Sequence, residues 1–283
     1  YHCLNQIGKK VAFYNTDQAS FPLTALPGYD QIQFRQTYPE KFDLYILIEG
    51  GTETRTGQQH LESYRTINID HHAASVNDAD LNWVEPDAAA VAVLVYELAL
   101  ELNVTITAEI GFNLYAAISS DTGSFKYSNT TERAHRYASE IIQKSGISPE
   151  EVSDLLYNSN SIEKIRVIQK VLATLELYLD DQVSVIELRR DFLETIPMKT
   201  IETEDIVGLA RSIKSLKATL FFKEIGDDYY RVSIRAKGDF NSQNVAKVFG
   251  GGGHNHAAGF FYQGDIQSAK RDIIVIIKEE LSR

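Results

Sequence analysis

Cysteine is almost missing from this chain: Cys3 stands alone among 283 residues, so no disulfide framework holds the fold and a reducing, cytoplasmic setting is expected. Long apolar runs are missing too. No stretch approaches the roughly 20 residues that cross a bilayer, and neither a basic leader segment nor a cleavage site is visible, so no membrane partner is expected. A basic track is the third absence. The net charge is −11, whereas proteins that grip long nucleic acid by its phosphates carry a stripe of Lys and Arg; long DNA or RNA is therefore excluded as a partner. A short anion is not excluded, because bound divalent cations and a few basic side chains suffice to hold one. There is no internal repeat and no low-complexity segment. What the chain does have is 43% hydrophobic content, enough for one large core or two modest ones, and two domains are expected.

Apolar runs that stop abruptly at a charge stand out. Ile67-Asn68-Ile69 ends in Asp70-His71-His72, one carboxylate and two imidazoles at the carboxyl end of a strand, where α/β proteins collect ligands. Leu44 to Ile48 stops at Glu49, followed by Gly50-Gly51 and Arg55. Ala116 to Ser120 is the end of a helix that stops at Asp121, with Gly123 permitting a tight turn. Any one of these groups reads as a cap or a solvated acid. Acids and imidazoles at the ends of three such elements instead read as a hydrolytic metal site, with Glu49, Asp121 and the imidazoles of His71 and His72 as candidate ligands and Glu49 able to bridge two ions.

Around these motifs, Lys10–Tyr14, Asp43–Glu49 and Arg65–Asp70 read as strands. Helices are expected over Asp87–Leu102, from a Thr107 cap to about Ser119, from Thr131 to about Ser145 before Gly146, and from Pro149. Tyr1 to Ile7 reads as the tail of an amphipathic helix closed by Gly8. The economical arrangement is α/β: an N-terminal, mostly parallel sheet flanked by helices. Ile162, Ile165, Ile168, Val171, Leu172 and Leu175 form a helical stripe without chemistry, read as a connector over 159–182 between a first domain, 1–158, and a second, 183–283. The second domain has strand texture at Val183–Leu188, Ala218–Glu224 and Tyr229–Arg235, with Gly226-Asp227-Asp228 as a hairpin turn, and reads as a smaller α/β domain with a mixed sheet. Near its end Gly250, Gly251, Gly252, Gly253 and His254 follow a helix that ends near Phe249. Glycines there let backbone approach a phosphate closely and turn amides toward it.

The strings Ile-Asp70-His71-His72, Ser120-Asp121-Thr122-Gly123-Ser124-Phe125 with Tyr127-Ser128-Asn129-Thr130-Thr131, and Gly250-Gly251-Gly252-Gly253-His254 occur in order. Together they resemble the DHH phosphoesterase superfamily, in particular its two-domain branch of oligoribonucleases that also act as 3′-phosphoadenosine-5′-phosphate phosphatases. The resemblance spans essentially the whole chain. It implies a two-metal phosphoesterase using Mn²⁺, or Mg²⁺ or Co²⁺, with short RNA or a nucleotide 3′,5′-bisphosphate as substrate and room for a homodimer. It further implies that Asp70 orients the strand end, that His72 faces the scissile phosphate as hydrogen-bond donor or acid, and that Arg235 joins the glycine run and His254 in binding substrate. His256 is a rim residue in this reading.

Two departures accompany the resemblance. The family's first motif, a His followed closely by two Asp, has no counterpart before Glu49, which implies roughly 30 to 45 further native residues ahead of Tyr1. Glu49 also stands where most members have Asp. A catalytically impaired nucleotide-binding protein, and a DHH hydrolase acting on linear or cyclic dinucleotides, therefore remain as alternatives. The glycine run speaks against a pyrophosphatase and the acidic chain against a processive exonuclease.

Overall fold

The structure is a computed structural model that describes residues 1–36, 41–50, 57, 64–72, 75, 79–193 and 204–282. The chain divides into two compact units, Tyr1–Ser159 and Asn160–Arg283.

In the first unit, α1 (His2–Gln6) is closed by Gly8 in the left-handed region (φ 75°), the turn expected from the sequence. Strands β1 (Phe13–Asn15) and β2 (Ile32–Phe34) pair in parallel. A separate parallel sheet, in the order β3-β4-β5, is built from β3 (Tyr45–Ile48), β4 (Thr66–Asp70) and β5 (Leu81–Val84). Four helices follow: α2 (Val91–Glu101), α3 (Ala108–Asp121), α4 (Glu132–Ser145) and α5 (Pro149–Tyr157). Their boundaries follow side-chain chemistry. Thr107, Thr131 and Ser148 each accept a backbone N–H from the first helical turn, and Gly146 (φ 69°) ends α4. The core beneath these elements includes Ile69, Leu94, Tyr96, Ile118, Ile141 and Val152.

Two expected boundaries move in this unit: the strand read over Lys10–Tyr14 is confined to Phe13–Asn15, and a helix starts later than expected. The helix read from Asp87 starts at Val91, because Ala88, Ala89 and Ala90 are buried as a turn. The Ala88 and Ala89 carbonyls are thereby kept out of the helical ladder and accept side-chain hydrogen bonds from His71 and Asn129.

In the second unit, the apolar stripe expected to form a connector belongs to α6 (Ile162–Leu172), whose buried Val167 and Val171 pack with Ile186, Leu188 and Phe221. Ile162 and Ile165 are exposed instead. The 159–182 segment is also not helical throughout: Thr174 accepts the Glu187 N–H, and β6 (Glu176–Tyr178) pairs antiparallel with β7 (Val183–Leu188). A six-stranded mixed sheet, ordered β10-β11-β9-β8-β7-β6, is completed by β8 (Ala218–Gly226), β9 (Tyr229–Ala236), β10 (Gly252–His254) and β11 (Ala257–Gln263). The β8–β9 hairpin turns where the sequence placed it. Helix α7 (Glu204–Arg211) joins α6 on one face of the sheet, over β7 and β8. Helices α8 (Ser242–Val248) and α9 (Ile266–Leu281) cover the other face, where Val185, Leu220, Phe222, Val232, Ile234 and Phe260 form the main core. A buried lysine, Lys270 of α9, pairs with Glu176 Oε1 at 2.8 Å and Glu187 Oε1 at 2.5 Å and so ties the helix to β6 and β7. The α/β class and the contrast between a parallel N-terminal sheet and a mixed C-terminal one agree with the sequence reading.

Among the described residues, no helix is long and apolar enough to cross a membrane.

Candidate metal centre and substrate face

The carboxyl end of β4 is organised by one buried oxygen. Asp70 Oδ1 accepts the backbone N–H of His71 (2.7 Å) and of His72 (2.9 Å), and it lies 2.8 Å from His72 Nδ1. Burial alone would raise the Asp70 pKa. Hydrogen bonds from the His72 amide, the Ser75 hydroxyl and the His72 ring outweigh that and hold it at about 2, so the group is an anion. An anionic acceptor at His72 Nδ1 keeps the proton there and leaves Nε2 outward. His71 does the same with a different acceptor: its Nδ1 donates to the Ala88 carbonyl at 3.1 Å. Both rings thus present an Nε2 lone pair.

His71 Nε2 points at carboxylates. Glu49 Oε1 is 3.5 Å away and Asp121 Oδ2 is 3.7 Å away. Ligand atoms of Glu49, His71 and His72 all lie within 4.8 Å of one another. Burial raises the Asp121 pKa, and the Glu49 charge raises it further. Acceptors thus converge around His71: the donors close enough together to share one ion are those of Glu49, His71 and His72, while Asp121 faces His71 without belonging to that compact group. The donor set therefore fits a metal ion. Glu49 reaches this point from the end of β3 with φ 55°, a strained value for a residue with a side chain, while its N–H still donates to Ile69 O. Arg55 and Gly51, singled out in the sequence, lie outside the described residues.

The Asp121 side is held by a residue to which sequence reasoning gave no role. Asn129 Nδ2 donates to both the Ala89 carbonyl (2.9 Å) and the Asp121 carbonyl (3.0 Å). One amide group thus joins the turn that anchors His71 to the helix end that carries Asp121. Arg133 pairs with Glu85 and with Glu97, fixing the start of the same turn to α2 and α4. The only sequence signal for Asn129 was its place in the Tyr127-Ser128-Asn129-Thr130 string.

The remaining sequence candidates lie in the second unit. Gly250 (φ 73°) follows α8, and the Gly251 N–H returns to Ala246 O at 2.9 Å. The next three residues are not a free loop: Gly252, Gly253 and His254 form the edge strand β10, in register with Gly259, Ala258 and Ala257 of β11. Glycine is required by close approach. A Cβ on Gly251 would sit 2.3 Å from Gly259 O, and one on Gly253 (φ 141°) 2.5 Å from Ala257 O. Ala257 is in turn opposite Arg235 on β9. His254, Ala257 and Arg235 therefore occupy one row across three strands, with the two functional side chains on the same face, about 10 Å apart, and only a methyl between them. His256 is exposed, and its carbonyl accepts the Ala236 N–H.

Known proteins resemble the chain throughout. Residues 196–282 match the DHHA1 domain. The chain is 29% identical over 284 residues to the bifunctional oligoribonuclease and PAP phosphatase NrnA of Thermus thermophilus, covering 100% of this chain and 84% of that protein. It is 32% identical over 260 residues to the protein of the same name from Bacillus subtilis, covering 80% of each. The crystal structure of an exopolyphosphatase-related protein from Bacteroides fragilis matches 99% of this chain and 86% of that one, with a TM-score of 0.88 at 22% identity. Motifs, fold and these matches define the class as DHH-superfamily phosphoesterase. Within it, the chain belongs to the NrnA family.

Proposed function

We propose that this protein is a metal-dependent phosphoesterase that hydrolyses very short RNA to mononucleotides and removes the 3′-phosphate of 3′-phosphoadenosine-5′-phosphate. The observation that carries the reading is the convergence of His71 Nε2 on Glu49 and Asp121, with His71 Nδ1 anchored on Ala88. The family membership supports the substrate class, since the named relatives are oligoribonucleases and PAP phosphatases.

Glu49, His71 and Asp121 would hold the metal, with Glu49 able to bridge a pair of ions, and the mixture of imidazole and carboxylate donors suits Mn²⁺ over softer or purely oxygen-bound ions. When bound, such ions activate water and offset charge on the phosphoryl oxygens. The protein's own groups do the rest. Asp70 holds the His71-His72 backbone and the His72 ring in place through one oxygen. His72 Nε2, facing outward, donates a hydrogen bond to the phosphate, or a proton to the leaving oxygen, when the ring is protonated. In the second unit Arg235 and His254 flank Ala257, and a phosphate seated there would meet the guanidinium and the backbone of the glycine run. The single free cysteine, Cys3, suits a reducing cytoplasm.

The test is turnover of the native protein with Mn²⁺. Mononucleotides should appear from di- to pentanucleotide RNA, and phosphate from 3′-phosphoadenosine-5′-phosphate. Equal or better activity on RNA about ten times longer would defeat the size claim. Stoichiometric nucleotide binding without turnover would favour the impaired, nucleotide-binding alternative.

A further inference from the structure

The second unit contains a cavity of about 510 Å³ at the edge of the sheet opposite to β10 and β11. It opens where β6 stops at Glu176, opposite Val185, so that the last residues of β7 have no described strand beside them on that side. Its walls come from the end of α6, the end of β7 and the short 3₁₀ turn Arg190–Leu193 that follows β7.

The charges around this cavity do not balance. Its two carboxylates, Glu176 and Glu187, are fully engaged. Each gives Oε1 to the buried Lys270, while Oε2 of Glu176 accepts the Tyr178 hydroxyl and Oε2 of Glu187 accepts Arg189 Nε at 3.2 Å. Two cations are left over. The remaining guanidinium nitrogens of Arg189 make no ion pair or hydrogen bond among the described residues, and the Lys170 ammonium makes none at all there. Both are nonetheless gathered at one ring: Lys170 Nζ and Arg189 Cζ each lie 5.7 Å from the centroid of Phe192. The ring attracts both through its quadrupole and neutralises neither. A lysine in the last turn of a helix is ordinary, since it meets free carbonyls, but that does not account for a second cation at the same ring. Lys170, Arg189 and Lys270 against Glu176 and Glu187 leave this corner net positive on a chain of net charge −11.

We propose that this cavity is a second anion site that binds a nucleoside 5′-monophosphate, with Arg189 and Lys170 on the phosphate. A phosphate monoester answers an open guanidinium edge and an ammonium together, because one dianionic group has oxygens enough for both. Inorganic phosphate and a phosphate ester share that chemistry, and size separates them. A volume of about 510 Å³ is that of a site for a small organic molecule, and a bare phosphate would fill little of it. The half-buried Phe192 ring adds an apolar wall for the base or sugar. The site is read from the cavity and its charges; the choice of a nucleotide among phosphate esters rests on the activity proposed above, since removing the 3′-phosphate of 3′-phosphoadenosine-5′-phosphate leaves adenosine 5′-monophosphate (AMP).

The experiment measures binding without chemistry, by calorimetry in EDTA with AMP and, separately, inorganic phosphate as probes. The reference is the full chain carrying Arg235→Ala, which weakens the phosphate contact proposed on β9, while EDTA removes the metal. This reference should still bind one AMP per chain, and adding Lys170→Gln with Arg189→Gln should weaken that binding by about tenfold or more. Lys170→Glu, added alone, should act in the same direction, whereas Lys170→Arg should hold the affinity within about twofold. Both side chains are exposed, so the urea midpoint of every variant should stay close to that of the reference. Inorganic phosphate should bind at least about tenfold more weakly than AMP. A reference chain that binds no AMP, or AMP binding that the double substitution leaves unchanged, overturns the site. Inorganic phosphate bound as tightly as AMP overturns the nucleotide as its occupant. Turnover is scored separately: if the metal-loaded native protein hydrolyses neither RNA dinucleotide nor 3′-phosphoadenosine-5′-phosphate, the proposed activity fails, and the AMP titrations still decide the site.

Discussion

The two units solve the problem of holding a side chain still in different ways. In the first, orientation is local: Asp70 fixes the two residues that follow it, and every bond it makes to them spans one or two positions. In the second, orientation comes from strand register. His254, Ala257 and Arg235 are spread over three strands and share a row only because the pairing of β10 with β11 and of β11 with β9 places them there. The backbone and ring set by Asp70 depend only on their own strand end, whereas the carboxylate side of the site is tied to it through the Ala88-Ala89 turn and Asn129. A site of the second kind fails if the sheet slips by a single residue, because every side chain then changes face.

The sharpest way to break this comparison is at its metal end. His71→Ala removes the imidazole that faces both Glu49 and Asp121 and should lower hydrolysis of every substrate by about a thousandfold or more, with loss of bound Mn²⁺ by calorimetry. Activity retained with metal still bound would mean that the ligands are elsewhere.

The next effect falls on the sheet itself. Lys270→Ala leaves buried Glu187 with only the exposed Arg189, 3.2 Å from Oε2, as a cation and should destabilise the second unit by about 2–4 kcal/mol in urea unfolding. Mn²⁺ binding should be unchanged, since the donors are in the other unit. The Lys270–Glu176 pair has a pH signature. Burial pushes the Glu176 pKa up, but hydrogen bonds from Lys270 and Tyr178 and the Lys270 charge outweigh it, so the folded value lies below the unfolded one. Its contribution is therefore full above the unfolded value, about 4.3, and is lost as pH falls through the lower folded value. Lys270→Ala should flatten that part of the acid-unfolding profile.

Smaller effects separate binding from chemistry. Arg235→Ala should raise KM for a dinucleotide by about ten- to a hundredfold and leave metal content intact. A small chromogenic phosphodiester should be affected much less; equal loss on both would remove the distinction between a metal unit and a substrate unit. Asn129→Ala deletes the amide that joins Ala89 to Asp121, and should weaken Mn²⁺ binding by about tenfold with little change in dinucleotide affinity measured in EDTA.

What was legible in the sequence follows the same divide. Asp70, His71 and His72 are adjacent, and the apolar run before them announces a strand end, so the reading needed no tertiary information. Glu49 and Asp121 could be picked out as candidates because each ends an element. Asn129 was quoted but given no function, since its two acceptors are backbone carbonyls at positions that no side-chain pattern marks. The sequence suggested a basic stripe nowhere, because Lys223 and Arg231 are separated along an acidic chain and come opposite each other only through the β8–β9 pairing. The connector was misjudged for a related reason: Val167 and Val171 are buried against strands that come later in the chain, while Ile162 and Ile165, equally apolar on paper, are left exposed.

The glycine edge strand has a consequence for the protein's behaviour at high concentration. An edge strand offers unpaired backbone to any other chain, and β10 has almost no side chains to discourage such pairing. Its protection is its length, three residues from Gly252 to His254. Gly252 is the place where that protection is thin. A Cβ there meets nothing within 4 Å, and its φ is not in the left-handed region. A valine at 252 would thus fold without strain and lend β propensity to the one edge that has to stay bare. The shortness of β10 and the low β propensity of its glycines are what keep neighbouring molecules from adding a strand.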